Sequence, residues 1–240
     1  MFISRISFNQ TVEDRMRKDA KYRRALEKKE RPVLSVVREK SDAELTTWLE
    51  EHGLEIDEGS FKEVAERFAS ADELADWLVE DRQLELLGFD SDVFWMALAA
   101  LWERWAPERP SYEMVDLWMQ SGYQHSQARD AVAASTLWLK AWRAVLKIMD
   151  DHDVPSIKDF DLRFGGTQRL YNWVQDIGLK LSCAGFDDDR LYHEGIRFCE
   201  TFEERFGDED ALIKGNKRRA LAGFYANLDE MDTVDELFGG

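Results

Sequence analysis

Proline is scarce in this 240-residue chain, with four residues at 32, 107, 110 and 155. Proline removes a backbone donor and breaks helices, so long helices face few interruptions here. Two cysteines, Cys183 and Cys199, are too few for a disulfide framework. Long hydrophobic runs are missing too. The longest, Val93–Trp102, falls far short of the ~20 apolar residues of a membrane span. The opening MFISRISFNQTVEDRMRKDAKYRR lacks the apolar core of a signal peptide. No stretch alternates at period two with β-branched enrichment, and no Asn-Gly or Asp-Gly pair marks a hairpin. These absences argue against secreted, membrane-spanning and sheet-based proteins and predict a soluble cytoplasmic one.

What is present is apolar and acidic. Hydrophobic residues make up 44% of the chain and nine are Trp, enough to build a core rather than a disordered segment. The net charge of −17 is uneven. Residues 1–40 hold 12 Lys/Arg against 6 Asp/Glu, and residues 41–240 hold 20 against 43. An acidic body repels nucleic acid and anionic membrane, so neither is an expected partner of it. The basic run RMRKDAKYRRALEKKER, residues 15–31, is the one stretch that could attract phosphate. No aromatic platform accompanies it, and the simpler expectation is a helix lying on the acidic body or standing out as a solvated arm.

Helix-start signals recur. SDAE (41–44), SFKE (60–63) and SADE (70–73) have the serine-to-glutamate spacing of a capping box, each before apolar residues of helical period. Gly53 falls where a left-handed C′ residue belongs. VFWMALAALWERW (93–105) is apolar nearly all round and predicts a central buried helix, ended by Pro107 and Pro110. SYEMVDLWMQ then runs to Gly122, and the longest candidate spans Ser126 to about Met149. After Gly165-Gly166, Thr167 can cap a helix ending at Gly185. Three more follow, opening near Asp189, Asp208 and Asp232. The expectation is an all-α chain of roughly ten helices.

LKLSCAGFDDDRLYHEGIRF (179–198) and AGFYANLDEMDTVDELF (222–238) share a helix end, a turn, an acidic cap and a second helix. Their offset of 43–44 residues lies on the long side of helical-repeat periods. FYANLDEMDTVDELF resembles the core of tetratricopeptide-type repeats. More narrowly, residues 170–238 resemble the helical region of bacterial proteins that often also bear a SecA-type C-terminal zinc motif. That motif is absent here. Val234 stands where the repeat consensus prefers Ala, and Gly223 sits mid-helix. The charge division marks a basic helical arm over 1–40, and residues 41–154, which align with no repeat, are expected to form a helical bundle; the resemblance implies tetratricopeptide-like helix pairs over 155–240, the last pair incomplete. It also implies a groove lined by Asn172, Gln175, Asn216 and Arg219 that contacts a protein or peptide partner.

The chain ends on DTVDELFGG before a second helix could be long. The expectation is a truncated product or an apolar edge at Leu237 and Phe238 that docks a partner or a second copy. Trp105, in ERWAPERP, is a further candidate anchor. For catalysis the residues nominate nothing. DDHD (150–153) reads as a solvated helix end, since consecutive loop residues rarely converge on a metal. His193-Glu194 lacks the spacing of a zinc protease helix, and RFGGTQ (163–168) lacks the ending of a phosphate loop. His52 is expected at a helix C-terminus, and His125 has no acid close by in sequence. The two cysteines are expected as buried free thiols. The expected function is a non-enzymatic interaction scaffold without cofactor or metal. The alternatives are an effector that meets nucleic acid through residues 15–31 and a hydrolase built from Asp150, Asp153, Asp187 and Glu194.

Overall fold

The computed structural model describes residues 4–29, 31–208 and 211–238, without the side chains of Ala211 and Phe238. Every regular element among them is a helix. Fourteen are formed, rather than about ten, because several stretches that read as one helix or as a loop are short helices with separate caps. They divide into two units. One comprises Met1–Asp116, Ala144–Asp153 and Phe164–Thr167, the other Leu117–Arg143, Val154–Arg163 and Gln168–Gly240.

The first unit opens with α1 (Arg5–Lys18) and α2 (Ala20–Lys28). Asp19 interrupts the basic run, since its backbone is extended and its carboxylate accepts from the amides of Lys21 and Tyr22. The two helices close on Val12, Leu26 and Val33. Arg5 pairs with Asp72 and Asp76. Arg31 reaches Asp92 at 3.6 Å between the rings of Phe8 and Phe89. Lys18, Lys21, Arg24, Lys28 and Lys29 face solvent.

Next come α3 (Leu34–Val37), α4 (Asp42–Glu51), α5 (Glu58–Ala65) and α6 (Ala71–Asp81). Ser41 and Glu44 form the expected reciprocal box, and Gly53 takes φ +90° after His52, the C-cap of α4. SFKE does not start a helix. Asp57 caps α5 and makes its reciprocal pair with Ser60, an Asp and a Ser filling the roles expected of Ser and Glu. Ser70 caps α6, while Glu73 turns back to the amide of Ala69.

These helices surround α7 (Asp90–Trp105), in which every residue from Phe94 to Trp102 is buried. The first turn of α6 is held by Glu113, 2% exposed, which accepts from the Ala71 and Asp72 amides and Trp95 Nε1 at 3.0–3.1 Å. A carboxylate facing a helix N-terminus is stabilised by both hydrogen bonds and the dipole.

Helices α8 (Tyr112–Gln127) and α9 (Ala131–Asp151) contribute residues to both units. α8 passes through Gly122 instead of stopping there. A Cβ at that position would lie 2.1 Å from Trp138 Nε1, so the glycine makes room for an indole rather than ending a helix. α9 starts at Ala131, not Ser126, because Arg129 takes φ +64° and Asp130 caps the amide of Ala133.

The second unit adds α10 (Ile157–Phe164), α11 (Leu170–Gly185), α12 (Arg190–Phe206), α13 (Ala211–Asn227) and α14 (Met231–Phe238). Thr167 does not cap α11. Its amide and hydroxyl both bond Asp116, and the carboxylate of Asp161 receives the Leu170 and Tyr171 amides. The core of this unit joins Trp138 edge-on to Tyr123 and Trp173, and Trp142 against Phe198, Phe202 and Phe206.

Candidate functional site: the face shared by α11 and α13

Helix α13 is seated by four contacts. Gly195 on α12 leaves space for the Phe224 ring, which a Cβ there would meet at 2.5 Å, and Phe224 is fully buried. Gly178 on α11 lies against Ala220, with 3.3 Å between a Cβ built on the glycine and that of the alanine. Asn216 donates to the Gln175 side chain at 3.1 Å. Lys217 donates from Nζ to the carbonyl of Val174. The pairings 175–216 and 178–220 advance together, so α11 and α13 run parallel.

Lys217 is the unexpected residue. It is 3% exposed, with its ammonium 4.4 Å from the centre of the Phe198 ring and 5.2 Å from that of Phe202. Burial lowers its pKa to about 8, against the smaller opposing influences of Cys199 and Asp176. A signal for it exists in the sequence. Lys217 falls four residues after Ile213 and seven before Phe224, both buried, which is the inward stripe of α13. A lysine in such a stripe has to find a carbonyl and aromatic faces.

With the inward side so fixed, the outward side is open. Asn172 and Arg219 are exposed, while Gln175 and Asn216 are half-buried and bridged to each other. Leu179 is 65% exposed and Leu212 63%. Asn172, Gln175 and Leu179 fall on one side of α11 by helical spacing, and Leu212, Asn216 and Arg219 on one side of α13. Of the four expected groove residues the structure joins Gln175 and Asn216 and leaves Asn172 and Arg219 exposed, and two exposed leucines that sequence reading passed over lie on the same helix sides. Gly215 and Gly223 lie on α13 where a Cβ would meet nothing within 4 Å. Across α11 and α13 the charges are Lys180, Lys214, Lys217, Arg218 and Arg219 against Asp176. Asp176 accepts from the Tyr123 hydroxyl at 2.6 Å. Burial first, and then that bond, hold the phenol well above its ordinary pKa.

The remaining candidates fall elsewhere. Trp105 is not a surface anchor. It is 9% exposed, edge-on to Phe61, and its Nε1 donates to Asp42 at 2.8 Å. Leu237 is half-buried and lines a pocket of about 320 Å³ with Cys199, Glu203, Lys217 and Leu221. The side chain of Phe238, and Gly239-Gly240, lie outside the described residues. Cys183 is exposed, against the expectation of two buried thiols, while Cys199 is buried and its thiol is pushed up to about 12 by burial. Such a thiol is protonated and inert at neutral pH.

His52 stacks on Trp48 and bonds its carbonyl at 2.7 Å, as a helix end allows. His125 does have an acid, Asp130 at 3.4 Å, brought back by the turn between α8 and α9. Asp150 and Asp153 belong to one unit and Asp187 and Glu194 to the other. Glu194 is engaged by Arg143 and Arg197. Among the described residues no three His, Cys, Asp or Glu side chains are grouped to hold a metal ion. No helix among them is long and apolar enough to cross a membrane.

Comparison with protein-family models, curated proteins and solved structures finds no match to this chain.

Proposed function

We propose that this chain is a helical interaction scaffold that holds an extended segment of a partner protein along the α11–α13 face. The observation that carries the reading is that two parallel helices, fixed on their inner sides, leave Leu179 and Leu212 63–65% exposed beside a polar bridge. Exposed leucines flanked by amide and guanidinium groups suit a peptide, which offers side chains to the former and backbone groups to the latter. The succession α11/α12 then α13/α14, with the first helix of each pair side by side, supports a tetratricopeptide-like stacking. An exposed free thiol at Cys183 suits a reducing, cytoplasmic setting.

The test is selection of binding peptides from a random library displayed on phage, with the full chain as bait. Peptides so selected are expected to lose at least tenfold in affinity on Leu179→Ser or on Asn172→Ala with Arg219→Ala. All three side chains are exposed, so the fold is expected to survive these changes. Selected peptides that bind all the variants as well as the parent would place the partner site elsewhere and overturn the reading.

A second reading rests on the solvent-facing cations of α1 and α2. In it, Lys21, Arg24 and Lys28 contact nucleic acid phosphates. Charge reversal at these three should then abolish RNA or DNA binding while leaving peptide binding intact. Nucleic-acid binding unchanged by the reversal would exclude it.

A further inference from the structure

The geometry points to a binding site for a free aliphatic α-amino acid in the cavity between α12 and α13, bordered by Leu237 of α14. The inference is independent of the groove reading. By helical spacing Arg218 and Leu221 lie on the opposite side of α13 from Asn216 and Arg219, and the whole lining belongs to the second unit. The cavity measures about 320 Å³, near the lower end of the roughly 300–1,000 Å³ of small-ligand pockets, a size for one small molecule rather than a peptide. Its α12 wall is acidic. Glu200, Glu203 and Glu204 share one side of the helix. Glu200 accepts from the Tyr225 hydroxyl at 3.4 Å, and the neighbouring Arg197 is turned to Glu194. Like charges one turn apart on a helix repel, and a bound ammonium group relieves that repulsion. Acidic side chains in a row are common in this chain. What singles these out is a cavity that holds the exposed guanidinium of Arg218 apart from them, with no ion pair between them among the described residues. The other lining cation, Lys217, has its ammonium engaged by the Val174 carbonyl and two rings.

An occupant of this cavity has to satisfy both signs of charge. A simple amine meets repulsion from Arg218, and a simple carboxylate meets it from three glutamates. A zwitterion sets its ammonium at Glu203 and Glu204 and its carboxylate at Arg218, whose planar fork donates two parallel hydrogen bonds to such a group. The apolar part of the lining selects the side chain. Leu221 and Leu237 are half-buried, and Cys199 is 2% exposed. Burial pushes the Cys199 thiol up to about 12, so it stays neutral and acts as a small apolar surface. Two leucines and a thiol bury an aliphatic group. Among the described residues the lining contains no aromatic ring against which an aromatic side chain could pack.

The experiment is calorimetric titration of the full chain with leucine and three compounds that each lack one of its groups. Isoamylamine lacks the carboxylate, isocaproate lacks the ammonium, and alanine lacks the aliphatic bulk. Leucine is expected to bind about tenfold or more tightly than each of the others. Arg218→Gln should weaken leucine about tenfold and leave isoamylamine no weaker. Glu203→Gln with Glu204→Gln should weaken leucine and isoamylamine together and leave isocaproate no weaker. All three side chains are exposed, so the fold is expected to survive these changes. Leu179→Ser, on the α11–α13 face, should leave leucine binding at the parent value, which separates this site from the groove. Isoamylamine binding as tightly as leucine would overturn the amino-acid assignment in favour of a simple cation site. Leucine binding that survives both sets of charge changes would overturn the location. Absence of leucine binding at about 10 mM, in calorimetry and in saturation-transfer NMR, would overturn the inference outright and leave the groove reading standing.

Discussion

Replacing Lys217 by methionine tests how the α11–α13 face is held. Methionine keeps the unbranched reach of the lysine stem and removes the charge. The native lysine is 3% exposed and its pKa falls from 10.5 to about 8. At 1.36 kcal/mol per pKa unit, that displacement is an electrostatic penalty of about 3 kcal/mol at neutral pH. The rings of Phe198 and Phe202 return part of it, on the order of 1–2 kcal/mol. The Val174 carbonyl lies inside α11 and keeps its helical partner, so losing the Nζ donor costs little. The Met variant is therefore expected to be more stable at pH 7 by about 1–2 kcal/mol, raising Tm by roughly 2–8 °C for a chain of this size.

The pH dependence has a definite sign. The folded pKa lies below the unfolded one, so between pH 8 and 10.5 the unfolded chain binds the proton and the native one does not. Wild-type stability gains from this group as pH rises through that window, and the advantage of Lys217→Met shrinks across it. Cys199 and Tyr123 act in the opposite sense at higher pH, since their folded pKa values are raised, but both proteins contain them. Urea melts of both at pH 7, 8.5 and 9.5, followed by far-UV circular dichroism, measure the difference. A Met variant less stable than wild type at pH 7, or a difference that stays flat with pH, would refute the account of Lys217.

Three other outcomes follow from the packing. Gly122→Ala drives a methyl to 2.1 Å from the Trp138 indole, which also bonds the Met119 carbonyl at 3.0 Å. The overpacking should cost about 1–3 kcal/mol despite the better helix propensity, and a stabilised variant in thermal melts would show that the contact can relax. Gly215→Ala and Gly223→Ala meet nothing and should each stabilise by about 0.5–1 kcal/mol; loss of stability in the same melts would mean these positions are covered. Maleimide labelling should modify Cys183 within minutes and Cys199 only after denaturation, as read by intact mass; equal rates would contradict the burial of Cys199.

What could be read from sequence was what neighbours in sequence decide. Ser41 with Glu44, the left-handed Gly53 and the buried run in α7 each follow from a window of a few residues. Contacts across the chain were not legible. Gly122 resembles a helix stop until Trp138, 16 residues on, is seen against it. Thr167 has the chemistry of a cap, but Asp116 claims it and Asp161 caps α11 instead. For the groove, the repeat-like offset paired Asn172 with Asn216 and Gln175 with Arg219, whereas the hydrogen bond formed is between Gln175 and Asn216. Leu179 and Leu212 escaped notice because an apolar residue read from sequence is assigned to the core. Only burial shows which leucines are left out.

Helix α13 draws these observations together. It carries two glycines in its interior and no Glu–Lys pairs to support it, so its intrinsic stability is low. Its persistence depends on Phe224, Asn216 and Lys217, the groups that also set it beside α11. The proposed binding face therefore exists only while α13 is docked. A partner that binds the face must stabilise the docked state by RT ln(1 + [L]/Kd), and a change that weakens docking must weaken binding. Conversely, filling Gly215 and Gly223 with alanine would strengthen the helix and raise the surface that a peptide has to approach. Stability and affinity should move in opposite directions at those two positions and together at Asn216, a contrast that a general effect on folding cannot produce.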